Sequence, residues 1–210
     1  MIILMRHGES SVNLTQTFSC RNVDEPLTEN GARQAEQAAA WLAGRPIRRV
    51  FASPLLRAKQ TAAAAAKRLG LGYAIAEELR EIDCGVLEGR RDPEAWKLFE
   101  QVILRWVGGD LEAGFDKGET GRHAVERFAH FMRRLPVDEG DTLAVGHGGI
   151  FTIGLLSLCY DFKPMAGRRL SNTGLVLVER APAGFSCVTW DLSEHLDRPS
   201  ITGVPEGVLA

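Results

Sequence analysis

Met1-Ile2-Ile3-Leu4-Met5 is apolar at every position and stops abruptly at Arg6-His7-Gly8. A run this short, with no alternation, has the pattern of a strand buried on both faces, and such strands belong to sheets with a helical layer on each side. The device recurs. Val50-Phe51-Ala52 ends in Ser53-Pro54, and Thr142-Leu143-Ala144-Val145 breaks at Gly146-His147-Gly148-Gly149. Helical stretches lie between these runs. One opens at Thr28, a good N-cap, with Glu29 suited to the positive end of the helix dipole, and runs to about Leu42 before Gly44 and Pro46. Ser53-Pro54 reads as cap and first residue of a second helix that reaches Leu69 and stops at Gly70. Asp92-Pro93 opens a third to about Val107, Thr120 a fourth to Leu135, and 150–159 is a fifth. Tyr73 to Ala76 suits a further strand, while 8–26, 78–91 and 108–118 read as loops. Gly174–Glu179 and Ser186–Trp190, flanking Ala181-Pro182-Ala183-Gly184, form a hairpin pattern at a sheet edge, and the tail after 195 reads as extended. Strands alternating with helices predict an α/β fold with a largely parallel sheet.

Composition narrows the setting. The chain has 210 residues, suited to a single domain, with 45% hydrophobic and 25% charged residues, which excludes disorder over most of its length. The formal net charge of −2 provides no global basic field, so nucleic acid is not an expected partner. Any anion must be gripped by a local cluster of positive groups. No apolar stretch approaches the ~18 residues of a membrane span, and Met1–Met5 is too short for a secretory signal. Cys20, Cys84, Cys159 and Cys187 form no CxxC pair and read as free thiols of a cytoplasmic protein. The C-terminal hairpin offers an edge through which two chains could pair as a homodimer.

In parallel sheets ligands collect at the carboxyl ends of the strands. If the three interrupted strands are neighbours, His7, His147, Arg6 and Arg57 converge on one crevice. Guanidinium forks and helix starts together match phosphate geometry. Guanidinium charge beside His7 keeps its imidazole neutral, and a neutral imidazole facing a held phosphate can attack phosphorus to give a phosphohistidine. Arg6, Arg57 and His147 then supply donors to the equatorial oxygens, with Asn13 as a neutral fourth. An alkoxide leaving group needs a proton, and Glu81 is the candidate acid, because a neighbouring phosphate dianion favours its protonated form. With this much positive charge no metal or other cofactor is expected, and no His or Cys lies at zinc-ligand spacing from His7 or His147. His123, His130 and His195 read as structural or solvated, and Glu119 as a helix-start residue. Trp96, Phe99, Trp106 and Phe115 could be core or could bound an apolar part of a substrate.

These residues, in this order, resemble the histidine phosphatase superfamily, the phosphoglycerate mutase-like family. The resemblance rests on Arg6-His7-Gly8-Glu9-Ser10 with Asn13, on Pro26-Leu27-Thr28 with Gly31 and Gln34-Ala35, and on Ser53-Pro54-Leu55-Leu56-Arg57-Ala58 through Ala62. It continues in Glu81-Ile82-Asp83 to Gly89, Gly118-Glu119-Thr120 and Val145-Gly146-His147-Gly148-Gly149, covering roughly residues 1–160. It implies a three-layer α/β/α fold around a central, mostly parallel sheet. It implies His7 as the phosphorylated nucleophile, Arg6, Arg57 and His147 as the phosphate pocket, Asn13 as an accessory contact and Glu81 as proton donor. An α-helical lid insertion at about 90–120 would carry substrate choice. The segment Phe18–Asp24 lacks the glycine usual before Pro-Leu-Thr, and Cys84 stands where an aromatic residue is common. The longer insertion and basic-aromatic cluster of a cofactor-dependent phosphoglycerate mutase are missing. The expected activity is therefore metal-independent hydrolysis of small phosphomonoesters, with mutase-type phosphoryl transfer as one alternative and a non-catalytic phospholigand-binding domain as another.

Overall fold

A computed structural model describes residues 1–136, 140–162, 169–182 and 184–196. In chain order these form β1 (Ile2–Arg6), α1 (Ser11–Thr15), α2 (Glu29–Leu42), β2 (Ile47–Ala52), α3 (Leu56–Leu69), β3 (Ala74–Ile75), α4 (Pro93–Val107), α5 (Gly121–Arg134), β4 (Asp141–Gly146), α6 (Gly148–Leu158), β5 (Leu175–Ala181) and β6 (Gly184–Leu192). The extended tail expected after 195 lies, from residue 197, outside the described residues, as does Ala183 in the hairpin turn.

One six-stranded sheet has the order β3-β2-β4-β1-β5-β6. The β3–β2, β2–β4 and β4–β1 pairs are parallel, whereas β5 and β6 run antiparallel at one side, so the expected edge hairpin is present. Strand alternation divides the core between two faces. Ile2, Leu4, Ala144, Val176 and Val178 face one layer, with Phe128 and Phe131 of α5 and Ile150 and Phe151 of α6. Ile3, Met5, Leu143, Val145, Leu175 and Leu177 face the other, with Ala38, Ala39 and Leu42 of α2 and Ala58, Ala62 and Ala65 of α3. The alanine run of α3 thus does more than favour helix: small side chains let that helix lie close on the sheet. A buried Phe on the opposite face contributes about 1.5–3 kcal/mol over an exposed one.

Four local expectations shift. The third strand contracts to Ala74–Ile75. The loop 8–26 contains the short helix α1. Helix α6 starts two residues early, at Gly148. Helix α3 begins at Leu56, because Ser53 is buried and its Oγ is taken by His147 and by the Leu55 N–H. The cap at α3 comes from a distant loop instead: Asp24 Oδ1 accepts from Leu56 N at 2.6 Å. Caps at Thr28, Asp92 and Thr120 are as the sequence predicts, each side chain accepting from the backbone N–H three residues on.

The four aromatics left open between core and substrate are packed inside. Trp96, Trp106 and Phe115 are buried, and Phe99 packs against them, stacked on Phe115 at 5.5 Å between ring centroids. Trp96 Nε1 donates to Gln16 O at 3.1 Å, and Trp106 Nε1 to Ala113 O at 2.8 Å, so neither indole carries an unmet donor.

Candidate active site

Strand β4 lies between β1 and β2, and all three run parallel. Their carboxyl ends therefore open on the same edge. His7 N donates to Gly146 O at 3.0 Å and Ser53 N to Val145 O at 2.8 Å, which brings the three polar breaks of the sequence side by side. The His7 and His147 rings stand 5.1 Å apart, edge to face. Arg57, in the first turn of α3, reaches between them. Its Nε donates to His7 Nε2 at 3.1 Å, and its Nη2 lies 3.4 Å from His147 Nδ1.

The tautomers follow from these bonds. His7 Nδ1 sits 2.6 Å from Gly8 O, which can only accept, so Nδ1 carries the proton and Nε2 keeps its lone pair. The guanidinium likewise can only donate to His147 Nδ1, which leaves the His147 Nε2 proton to bond Ser53 Oγ at 2.7 Å. Both rings are held neutral: burial, then Arg57 and other nearby positive charge, push each well below the ordinary histidine value. Arg6 is pulled down to about 10 by burial, with the Glu81 charge acting against the shift, and stays protonated at neutral pH. Arg6, His7, Arg57 and His147 are 7%, 3%, 3% and 0% exposed, so charge in this site acts through little water.

The acid candidate comes from the loop after β3 and lies against the start of α6. Glu81 Oε2 accepts from Gly149 N at 3.1 Å, and Oε1 accepts from Ile150 N and Ile82 N at 2.9 Å each. Its carboxylate thus lies in the amides at the start of α6, where the helix dipole favours negative charge. Asn13 is placed beside His7 by its loop, but its Oδ1 is committed, accepting from Ser10 N at 3.0 Å and from Asn172 Nδ2 at 3.3 Å.

Sequence comparison decides the family. The family model described as "Histidine phosphatase superfamily (branch 1)" matches residues 2–193. The chain belongs to the histidine phosphatase superfamily. A "Probable phosphoglycerate mutase GpmB" of Yersinia enterocolitica is 31% identical over 95% of this chain and 96% of its own length. Among solved structures, a mycobacterial glucosyl-3-phosphoglycerate phosphatase complexed with VO3 superposes with a TM-score of 0.77 at 22% identity, covering 90% of this chain and 98% of that one. A phosphoserine phosphatase of Entamoeba histolytica in complex with 3-phosphoglyceric acid gives 0.74 at 24% identity, covering 92% and 98%. These likenesses concern the fold: both of those proteins share this chain's architecture.

Several residues that hold this candidate site together escaped sequence reasoning. Ser19 anchors Arg57 twice, Oγ accepting from Nη1 and the carbonyl from Nη2, both at 2.8 Å. Thr61 Oγ1 donates to Arg57 O at 2.8 Å and accepts from Gly8 N at 3.0 Å, tying the arginine's turn to the histidine loop. Asn172 Nδ2 donates to His7 O at 3.2 Å. Arg127 gathers the acid loop, donating to the carbonyls of Glu78, Arg80 and Glu81 while pairing with Glu119 at 2.7 Å. Glu119 is therefore more than a helix-start residue: it is buried and also accepts from Asp83 N. One signal for it was available, since Gly118-Glu119-Thr120 belonged to the resemblance. Thr61 likewise lies in the Ser53–Ala62 block of the resemblance, whereas nothing local marks Ser19 or Asn172. A surface groove of about 700 Å³ on α5 and α6, lined by Val125, His130 and Arg134 among others, shares no residue with the site.

Proposed function

We propose that this protein is a metal-independent phosphatase that hydrolyses phosphomonoesters of small metabolites through a phosphohistidine on His7. One observation carries the reading: a buried neutral imidazole, with its Nε2 lone pair fixed by the Nδ1 bond to Gly8 O, lies against the Arg57 fork and a second neutral histidine. Arg6 and Arg57 draw the phosphoryl group in and supply the positive charge that its oxygens need, without a metal. Asn13 would touch it through Nδ2, its oxygen being occupied. His7 Nε2 forms a bond to phosphorus as the ester P–O bond breaks. The leaving alkoxide takes its proton from Glu81. Glu81 then takes a proton from water, the hydroxide oxygen bonds phosphorus, and the P–N bond breaks to return His7 and release phosphate.

The reading treats 1–210 as one domain, with an insertion at about 90–120 over the pocket that selects the substrate. The four free thiols fit a reducing compartment and so support a cytoplasmic setting, and no helix among the described residues is long and apolar enough to cross a membrane. Strand β6, last in the sheet, is the edge through which two copies would pair.

The test is rapid mixing with p-nitrophenyl phosphate in the presence of chelator. A burst of one nitrophenolate per chain, an acid-labile phosphoryl label and loss of both in His7→Ala are expected. Full turnover by His7→Ala, or phosphate binding without turnover across a metabolite panel, overturns the reading. A mutase reading is favoured by the name of the relative at 31% identity. Incubation with 3-phosphoglycerate separates the two, since a mutase yields 2-phosphoglycerate and a hydrolase yields free phosphate.

A further inference from the structure

The two places where the sequence departs from the family pattern, the loop Phe18–Asp24 and position 84, meet in the folded chain. Cys20 Sγ and Cys84 Sγ are 3.4 Å apart, and both residues are buried. Their loops are already fastened to each other. Glu88 accepts from the backbone N–H groups of Cys20, Arg21, Asn22 and Val23, and Arg21 pairs with Asp83 at 3.0 Å. Each loop also carries a part of the site. Cys20 follows Ser19, which holds the Arg57 guanidinium, and Cys84 lies three residues beyond Glu81.

We propose that Cys20 and Cys84 are an oxidative modification site that closes to a reversible disulfide and thereby turns the phosphatase down. A disulfide needs its sulfurs at about 2.05 Å. The contact must therefore shorten by more than an ångström, which shifts the loop that carries Cys20 together with Ser19, the residue that holds Arg57. Misplacing a phosphate-binding fork by such an amount costs rate steeply. The step balances with hydrogen peroxide as oxidant. One thiol sulfur attacks peroxide oxygen, the O–O bond breaks, and a sulfenic acid and one water form. The second sulfur then displaces hydroxide from the first as the S–S bond forms, and a second water leaves. Bonding to Cys84 and burial keep Cys20 protonated, and Glu88 also accepts the Cys20 thiol hydrogen, so closure is a response to sustained oxidant rather than a rapid sensor.

The two thiols, with Glu88, have the composition of a soft-metal site. The bonds already made argue against that use. Both Glu88 oxygens are occupied by backbone N–H groups, and the Arg57 and Arg80 guanidiniums lie close to the Cys20 end.

The experiment treats the full chain with hydrogen peroxide, blocks remaining thiols, digests without reduction and maps the peptides by mass. A Cys20–Cys84 cross-linked peptide, 2 Da below the sum of its reduced halves, is expected; single over-oxidised or alkylated Cys20 and Cys84 with no bridge overturns the proposal. So does one equivalent of zinc retained by the reduced chain and lost in Cys84→Ser. The second readout is turnover of p-nitrophenyl phosphate, which rests on the proposed phosphatase activity. It should fall about tenfold on oxidation and recover with dithiothreitol, while Cys84→Ser resists. Equal rates for bridged and reduced enzyme overturn the regulatory half. A reduced enzyme with no turnover defeats the phosphatase reading instead, and leaves the peptide map to decide the bridge.

Discussion

Burying two imidazoles in neutral form makes folding depend on pH in a way that can be worked from the site. In the unfolded chain both histidines titrate near 6.5. In the folded chain burial and the Arg57 charge, joined by Arg6, hold His7 and His147 well below that. As pH falls through 6.5, the unfolded state therefore binds protons that the folded state refuses. Stability is fully present above the unfolded value and is lost below it, by about 1.4 kcal/mol per pH unit for each histidine. Between pH 7.5 and 5.5 the two together remove about 2.7 kcal/mol, a sizeable part of the roughly 5–15 kcal/mol that holds a typical domain. His195, also held low chiefly by burial, acts in the same direction. The carboxylates held below their ordinary values, among them Glu88 and Asp161, lose their contribution only at lower pH, outside this window. Urea titrations at the two pH values measure the difference, expected as a midpoint shift of about 1 M for a slope near 2–3 kcal/mol/M. Replacing His7 and His147 by Gln must remove most of the slope. A wild-type chain equally stable at pH 5.5 and 7.5, or a double variant that keeps the full dependence, would refute the claim that these rings are buried uncharged.

Arg57→Lys keeps a charge but loses the fork, and strands two buried acceptors on Ser19; at about 1–3 kcal/mol each, unfolding should cost about 2–6 kcal/mol less and kcat/KM should drop about a hundredfold. A variant with the wild-type urea midpoint would show that Ser19 does not depend on that anchor. Glu81→Gln should lower kcat/KM about 10²–10⁴-fold on an alkyl phosphate and tenfold or less on p-nitrophenyl phosphate, whose leaving group needs no proton. Equal losses on the two substrates would remove Glu81 from the acid role. Gly31→Ala, which in an ordinary helix gains about 1 kcal/mol, should instead cost about 3 kcal/mol. Its new Cβ would fall 1.9 Å from Glu9 O, beside the histidine loop, and a thermal midpoint at or above wild type would contradict that packing.

What the sequence disclosed was whatever short-range physics writes locally. β1 and β4 announce themselves because burial on both faces makes Ile2–Met5 and Leu143–Val145 continuously apolar, and the polar residues that follow, from Arg6 and from His147, are therefore the first the chain can offer to a ligand at those strand ends. Strand ends pointed to His7, Arg57 and His147, since a parallel sheet sends successive strand ends to one edge; Glu81 came from the need for a proton donor and from the resemblance. The start of α3 misled for a related reason. Ser53 has the side chain of a cap, but a hydroxyl makes few bonds, and His147, arriving from ninety-four residues away, takes it. The cap was supplied by Asp24, whose position no periodicity reveals.

The supporting residues were silent because their meaning is relational. Ser19 in isolation is an ordinary loop serine; it matters because the side chain of Arg57 ends where its carbonyl and hydroxyl both point. The same holds for Thr61, which faces inward on α3 one turn beyond Arg57 and so meets the Gly8 amide. A fork with several donors in a site this dry must find an acceptor for each or be expelled, so burying Arg57 presupposes Ser19 and the two histidines at once. That interdependence is why the departures at Cys20 and Cys84 bear on chemistry although the Cys20 thiol bonds Cys84 and Glu88 rather than Arg57 or Glu81. They sit on the two loops that hold those residues in place, and whatever moves the loops moves the fork.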